Sequence, residues 1–318
     1  RKEQSPLGQE LSNSSNRNTI KYREIMVASD WHSWYIVCSC LSILSALFIA
    51  VTYFKLIKFR HHPSRILLSI ALMEGMLAYH TMVIAVGTRE YEDSIQVVDA
   101  SEAVLFGETI SRDSICWTNF FAMEYSSIGA ILFNAMLCVD LMLMLRNPFS
   151  PPRKRNRIFF VISILLPFIS IKTVLDNQDK SCLEFVTSSE RIKNGVIIPS
   201  GTVATFLLAY VILGTGSSLY AIHRFRNSLK LAEKSKIYYI KRHTAYVSSY
   251  LAMYVLPVLV LYFNHSDDQI RTYGPLCNIM KLLTCFLLLI VRITEPYFWA
   301  KLKYYILSKV NKTTEAVQ

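Results

Sequence analysis

Apolar residues in this chain gather into long, nearly uncharged blocks separated by short polar segments. A helical stretch of about 20 apolar residues matches the thickness of a bilayer's hydrocarbon core. Blocks of that kind run from about Trp34 to Leu56, Ile66 to Gly87, Ile115 to Leu145 and Ile158 to Leu175. Three more run from Val196 to His223, Thr244 to Phe263 and Tyr273 to Tyr297. The pattern predicts an all-α protein, a seven-transmembrane helix bundle over residues 34–297. The third block is long enough to span at a strong tilt. Pro167, Pro199 and Pro257 fall inside the fourth, fifth and sixth blocks, where proline marks kinks.

The ends differ from the middle. Residues 1–33 are polar, rich in Asn and Ser and free of cysteine, and are expected to be a flexible extracellular segment. The chain begins at Arg1, as a processed or trimmed form would, and shows no signal peptide. After Pro296, the stripe Phe298, Leu302, Tyr305, Ile306 and Val310 alternates with lysines. That stripe predicts a short amphipathic helix on the inner membrane surface within residues 298–318, ahead of a cytoplasmic tail.

Composition agrees with the pattern: 52% of the 318 residues are hydrophobic and 18% charged. The net charge of +11 does not indicate nucleic-acid binding, because the basic residues sit in short connections between apolar blocks. The first connection carries Lys58, Arg60 and Arg65, and the third reads RNPFSPPRKRNR. The fifth holds Arg224, Arg226, Lys230, Lys234, Lys236, Lys241 and Arg242 against Glu233. Alternate connections are acidic, with Glu90, Glu92, Asp93, Asp99, Glu102, Glu108 and Asp113 after the second block and Asp267 and Asp268 before the seventh. The positive-inside rule then places the amino terminus outside and the carboxyl terminus in the cytosol, in the plasma membrane. Sequons at Asn13 and Asn264 fall on the outer side. Among the seven cysteines no metal spacing occurs, and Cys116 and Cys182, at loop edges, are the expected disulfide pair.

Charges inside the blocks carry the chemistry. One such charge at mid-bilayer costs roughly 2.5–3.5 kcal/mol by insertion scales. Glu74, Glu124, Asp140, Lys281 and Arg292 lie within blocks, with Glu295 at the inner end of the last. At 100° per residue, Asn278, Lys281, Thr284, Cys285, Arg292 and Glu295 share one face of the seventh block. Glu124, Ser127 and Asn134 share an arc of the third, with Asp140 turned away. Glu74 and Thr81 lie together in the second, and His80, pointing elsewhere, reads as a satisfied buried histidine. Glu124 lies roughly 12 Å below Cys116 along the helix, and Lys281 is at similar depth. A Glu124–Lys281 pair, or a ligand touching both, follows, with a static ion pair as the plain alternative. Near the inner end Arg292 is expected to be neutralised by Asp140, Glu74 or Glu295 in a switchable pair.

Seven blocks, an outer Cys116–Cys182 pair, basic inner loops and a terminal surface helix together resemble G-protein-coupled receptors over roughly residues 34–310. The third block ends CVDLMLMLRNPF, without an adjacent Asp-Arg-Tyr, and the seventh ends RITEPYFW, without Asn-Pro-x-x-Tyr. Lacking a cysteine-rich outer domain, the chain looks closer to the slime-mould cyclic-AMP-receptor-like group and related protist receptors. The resemblance implies an extracellular ligand held by Glu124, Ser127, Asn278 and Lys281. It implies an activation switch among Glu74, Asp140, Arg292, Glu295 and Pro257, where the sixth helix would bend. It also implies a heterotrimeric G protein docking on Arg146, Pro148, Phe149 and Lys241, with Phe149 as an apolar knob.

Other classes fit less well. An ion or solute channel or transporter would use the same intramembrane charges, yet no internal repeat is present. A subunit of a larger membrane complex is a further alternative. A retinal photoreceptor would need Lys281 in a different context from NIMK. No HExxH, GxSxG or dense histidine cluster points to an enzyme, and no cofactor or metal is expected. If Cys116 and Cys182 are bridged, Cys182→Ala should lower the amount of protein at the cell surface or its ligand response. Unchanged surface labelling and response would contradict the bridge.

Overall fold

The computed structural model describes Trp31 and residues 33–55, 64–95, 106–146, 152–175, 192–193, 196–197, 200–228, 244–263, 267–294, 298–299, 302–305 and 307. Seven long helical segments are present among them. Helix α1 covers Ser33–Lys55. Next come α2 (Ser64–Ile95), α3 (Phe106–Arg146), α4 (Pro152–Leu175) and α5 (Gly201–Ser228). Helix α6 covers Thr244–Phe263 and includes a π turn at Leu251–Val255. Helix α7 is built from Asp267–Leu282 and Thr284–Ile293, interrupted at Leu283.

Six of these, α1, α2, α3, α5, α6 and α7, are long and apolar enough to cross a membrane, and the chain is a membrane protein. Their outward faces carry large apolar side chains, among them Leu44, Phe54, Ile212 and Leu219. Exposed apolar surface on that scale is rare in water and is what hydrocarbon requires. In α4 the described apolar stretch, Arg157–Ile169, is shorter than the other six. It shows the same exposed character at Ile158, Val161, Leu165 and Ile169.

Helix α3 is the most enclosed and forms the centre of the bundle. It packs against α2, α4 and α5. One buried cluster joins α3 to α5 and α6 through Ile128, Ile131, Leu207, Tyr210, Val247 and Tyr250. A second joins α3 to α1, α2 and α7 through Phe133, Leu137, Ile49, Ile70, Cys285 and Leu288. On the α4 side, Tyr125 and Phe168 approach to 4.7 Å between ring centroids.

Several boundaries differ from the sequence expectation. Helix α2 runs on to Ile95 and α3 begins at Phe106, so Glu90, Glu92, Asp93, Glu108 and Asp113 belong to helices and not to a loop. At 32 and 41 residues these helices are about 48 and 62 Å long, well beyond the roughly 30 Å hydrocarbon core. Hydropathy registers only the part of a helix that lipid covers. Charged residues propagate a helix into water without that signal. For the same reason Asp267 and Asp268 open α7 instead of preceding it. Val196 does not open the fifth helix: a small antiparallel hairpin pairs Ile192 with Ile197 and Lys193 with Val196, and α5 starts at Gly201; Pro199 lies outside the described residues. Apart from that hairpin of two-residue strands the described residues are almost all helical, in line with the all-α expectation.

Proline positions are accommodated locally. Pro167 lies inside α4, where its missing N–H leaves the Ser163 carbonyl without its helical donor, and the Tyr125 hydroxyl of α3 donates to the next carbonyl along, Ile164, at 3.3 Å. Before Pro257 the helix widens, and the Leu256 N–H bonds the Leu251 carbonyl in an i→i−5 pattern. Pro275 lies inside α7. At the α7 interruption, the Thr284 hydroxyl donates to the Lys281 carbonyl and the Ser42 hydroxyl of α1 donates to the Leu282 carbonyl. Hydroxyls thus reach backbone carbonyls beside these irregular turns, as the membrane interior favours.

Residues 298–299 and 302–305 are helical. Phe298 is buried against Ile293, Leu302 and Tyr305 and faces Phe48 of α1 at 6.4 Å. Ile306 and Val310 of the expected stripe lie outside the described residues, as does nearly all of residues 1–33.

Helices α1 and α2 approach closely at Gly75, where an added Cβ would stand 2.8 Å from the Ala46 Cβ. Neither atom can move without its helix. Gly75→Ala should therefore lower stability by about 1–3 kcal/mol despite the better helix propensity of alanine. Thermal unfolding in detergent measures this, and Ala46→Gly should restore part of the loss. An unchanged or raised midpoint would contradict the close approach.

Candidate functional site

The third and seventh helices present opposite charges to the interior. Glu124 is 5% exposed and Lys281 8% exposed, and Glu124 acts electrostatically on Lys281. The structure thus brings together the two residues that the sequence paired by depth. A third helix completes the arrangement. Ser200 caps α5: its hydroxyl oxygen accepts the Val203 N–H at 3.0 Å, and its carbonyl accepts the Ala204 N–H at 2.9 Å. The same hydroxyl donates to Glu124 Oε2 at 2.7 Å. The carboxylate therefore lies at the positive end of the α5 dipole, a favourable place for an anion.

Two flanks extend this centre. Ser127, three residues along α3 from Glu124, is buried beside the Tyr254 hydroxyl of α6. Asn278, one turn before Lys281, is buried beside the Tyr35 hydroxyl of α1. Neither contact completes a hydrogen bond. Tyr35 Oη, Tyr254 Oη and Asn278 Nδ2 are all buried without a protein partner in bonding geometry. A polar seam therefore crosses the bundle from α1 through α7 and α3 to α5 and α6.

Glu74 on α2 is also buried, and neither carboxyl oxygen meets a protein donor. It lies within electrostatic reach of Tyr210 on α5, Tyr246, Tyr250 and Tyr254 on α6, and Cys285 on α7. The three α6 tyrosines form a column. Tyr246 and Tyr250 stack at 6.5 Å, Tyr250 and Tyr254 at 5.0 Å, and Tyr210 meets Tyr250 edge-on at 5.3 Å. At the Tyr246 end of the column its hydroxyl donates to Asn134 Oδ1 at 2.9 Å, and Asn134 Nδ2 donates to the Ala130 carbonyl at 2.9 Å. This buried contact ties α6 to α3.

Toward the C-terminal end of α3 Asp140 is fully buried, Arg292 near the end of α7 is nearly so, and each engages in an interaction. Asp140 is turned from the Glu124 arc, yet its side chain is fully buried, so it does not meet lipid. Pro257 is buried directly after the π turn. Arg146 is the last residue of α3 and is exposed. Glu295, Pro148, Phe149, Lys241 and Cys182, together with the side chain of Cys116, lie outside the described residues. His80 Nδ1 and Asn119 Oδ1 are 2.9 Å apart and join α2 to α3.

Sequence reasoning missed Ser200, Tyr254, Tyr35 and the Asn134–Tyr246 contact. Ser200 stood in the Pro-Ser-Gly order of a helix start, a usable signal. The tyrosines at 246, 250 and 254 recur at helical spacing and could have been read as one face. Among the described residues no group of histidine, cysteine and carboxylate side chains could hold a metal ion. Neither the models of known protein families nor the curated proteins match this sequence.

Ser200→Ala removes both a helix cap and the hydroxyl donor to Glu124. Losing such a cap costs about 1 kcal/mol, and leaving a buried acceptor unpaired adds about 1–3 kcal/mol. The unfolding midpoint of the purified protein should fall accordingly, and Ser200→Thr should retain most of it. An unaltered midpoint in Ser200→Ala would show that Glu124 does not depend on this bond.

Proposed function

We propose that the chain is a seven-helix receptor of the plasma membrane that binds an extracellular ligand between its helices and signals to a heterotrimeric G protein. The observation that carries this reading is the buried Glu124–Ser200–Lys281 constellation, which joins α3, α5 and α7 through charge and hydrogen bonding. A ligand that competes for these groups changes the balance between helices, and a ligand shifts an equilibrium only through such differential contacts. Helix α6 is suited to respond. Its π turn and Pro257 interrupt the regular ladder above the Tyr246–Asn134 contact, so a bend there would move its inner end relative to α3.

In this reading α4 supplies the seventh crossing. Its 24 residues measure about 36 Å, enough for the hydrocarbon core. The basic connections face the cytosol by the positive-inside rule and receive the G protein, with Arg146 at the exposed end of α3. A Cys116–Cys182 bridge tethers the outer loop, and the terminal helix rests on the inner surface. The style of the chain is that of the cyclic-AMP-receptor-like group.

Membranes containing the chain and a panel of labelled heterotrimeric G proteins should show nucleotide exchange above membranes lacking it. Arg292→Ala, which disturbs the inner buried charges, should raise that basal rate several-fold. Exchange equal to the control across the whole panel, with the protein demonstrably folded, would contradict the proposal.

A further inference from the structure

The seam around Lys281 offers more than a pair of charges. Three buried polar atoms around it, Tyr35 Oη, Tyr254 Oη and Asn278 Nδ2, complete no hydrogen bond within the protein. Each such atom is costly in a low-dielectric interior and is stabilised once a polar group reaches it. They come from α1, α6 and α7, and two of them, Tyr35 Oη and Asn278 Nδ2, lie side by side.

Charge decides what could occupy the seam. Glu124 and Lys281 carry opposite signs and act on one another, so the pair is neutral as a whole. An amine alone would engage Glu124 and leave Lys281 buried beside a second cation. A carboxylic acid alone would do the reverse to Glu124. Burying an uncompensated charge costs far more than burying a compensated pair. A molecule bearing one charge of each sign engages both residues and keeps the total at zero. Its anionic group would take the free donor of Asn278 along with Lys281, which lie one turn apart on the same face of α7.

We infer that the seam formed by Glu124, Lys281, Asn278, Tyr35 and Tyr254 binds a small zwitterion of the amino-acid type, its ammonium directed to Glu124 and its carboxylate to Lys281 and Asn278. This deepens the receptor proposal by naming the chemical class of its ligand, and it rests on that proposal only for the consequence of binding. The seam requires the two charges on one small molecule. A large single-sign ligand, such as a polyphosphate or a polyamine, would leave Glu124 or Lys281 uncompensated.

The full chain, purified in detergent, is tested by thermal unfolding against the common α-amino acids and several ω-amino acids. Each is compared with the matching primary amine and the matching carboxylic acid. At least one zwitterion should raise the midpoint where neither single-charge analogue does. Glu124→Gln should then accept the acid analogue, and Lys281→Met the amine analogue. Asn278→Ala, a milder change that keeps both charges, should weaken the zwitterion by about tenfold, the scale of one lost hydrogen bond to a charged group. No shift with any zwitterion, or equal shifts with the single-charge analogues, would overturn the inference. The readout contains no G protein, so binding without nucleotide exchange would sink the signalling proposal and leave this one standing.

Discussion

Hydrocarbon offers no hydrogen bonds, so a polar group inside a membrane protein depends on whatever a neighbouring helix supplies. That constraint organises this bundle. The Ser42 hydroxyl of α1 reaches the Leu282 carbonyl of α7, and the Tyr125 hydroxyl of α3 reaches the Ile164 carbonyl of α4. Ser200 satisfies the first turn of α5 and Glu124 with one hydroxyl group, accepting from one and donating to the other. Asn134 does the corresponding work between α3 and α6. Each bond is worth only about 1 kcal/mol net, yet leaving its buried partner unmade costs more, so the contacts fix which faces meet. Apolar packing against lipid could not do this, because lipid tails are as apolar as the side chains.

The same constraint locates where the bundle can move. Departures from the regular helix ladder concentrate in α6, at the π turn before Pro257, and in α7, at Leu283. Both lie beside the polar seam: Tyr254 belongs to the π turn, and Lys281 is two residues from the α7 interruption. A change in what Glu124 and Lys281 contact is thereby placed next to two interruptions of the regular helix ladder. The stacked column Tyr246–Tyr250–Tyr254 runs from the π turn down to Asn134 and offers a rigid connection along α6.

Much of this was legible in the sequence. Six apolar blocks correspond to helices of membrane-crossing length, because hydropathy measures the property that lipid selects. The depth argument that matched Glu124 with Lys281 needed only helix rise, and the structure places the two within electrostatic reach. Other features had no counterpart in hydropathy. The extensions of α2 and α3 are polar, and polar helices look like loops to a scale tuned to hydrocarbon. The hairpin before α5 did carry a signal in the sequence, because Asn194-Gly195 between Ile192-Lys193 and Val196-Ile197 is a two-residue hairpin dipeptide, but hydropathy does not register it. Ser42 had no distinguishing signal: one serine among several in an apolar block is found only when its partner on another helix is known. Asn134 was placed on the correct face, but its tyrosine partner lies 112 positions away, and helical periodicity relates only near neighbours.

The central claim is an odd number of crossings, with charged side chains turned inward and the two ends on opposite faces. Antibody access to epitope tags at each end of the chain, on intact and then permeabilised cells, tests it most directly. The account predicts that the amino-terminal tag is reached on intact cells and the carboxyl-terminal tag only after permeabilisation. Access to both tags, or to neither, before permeabilisation would contradict it.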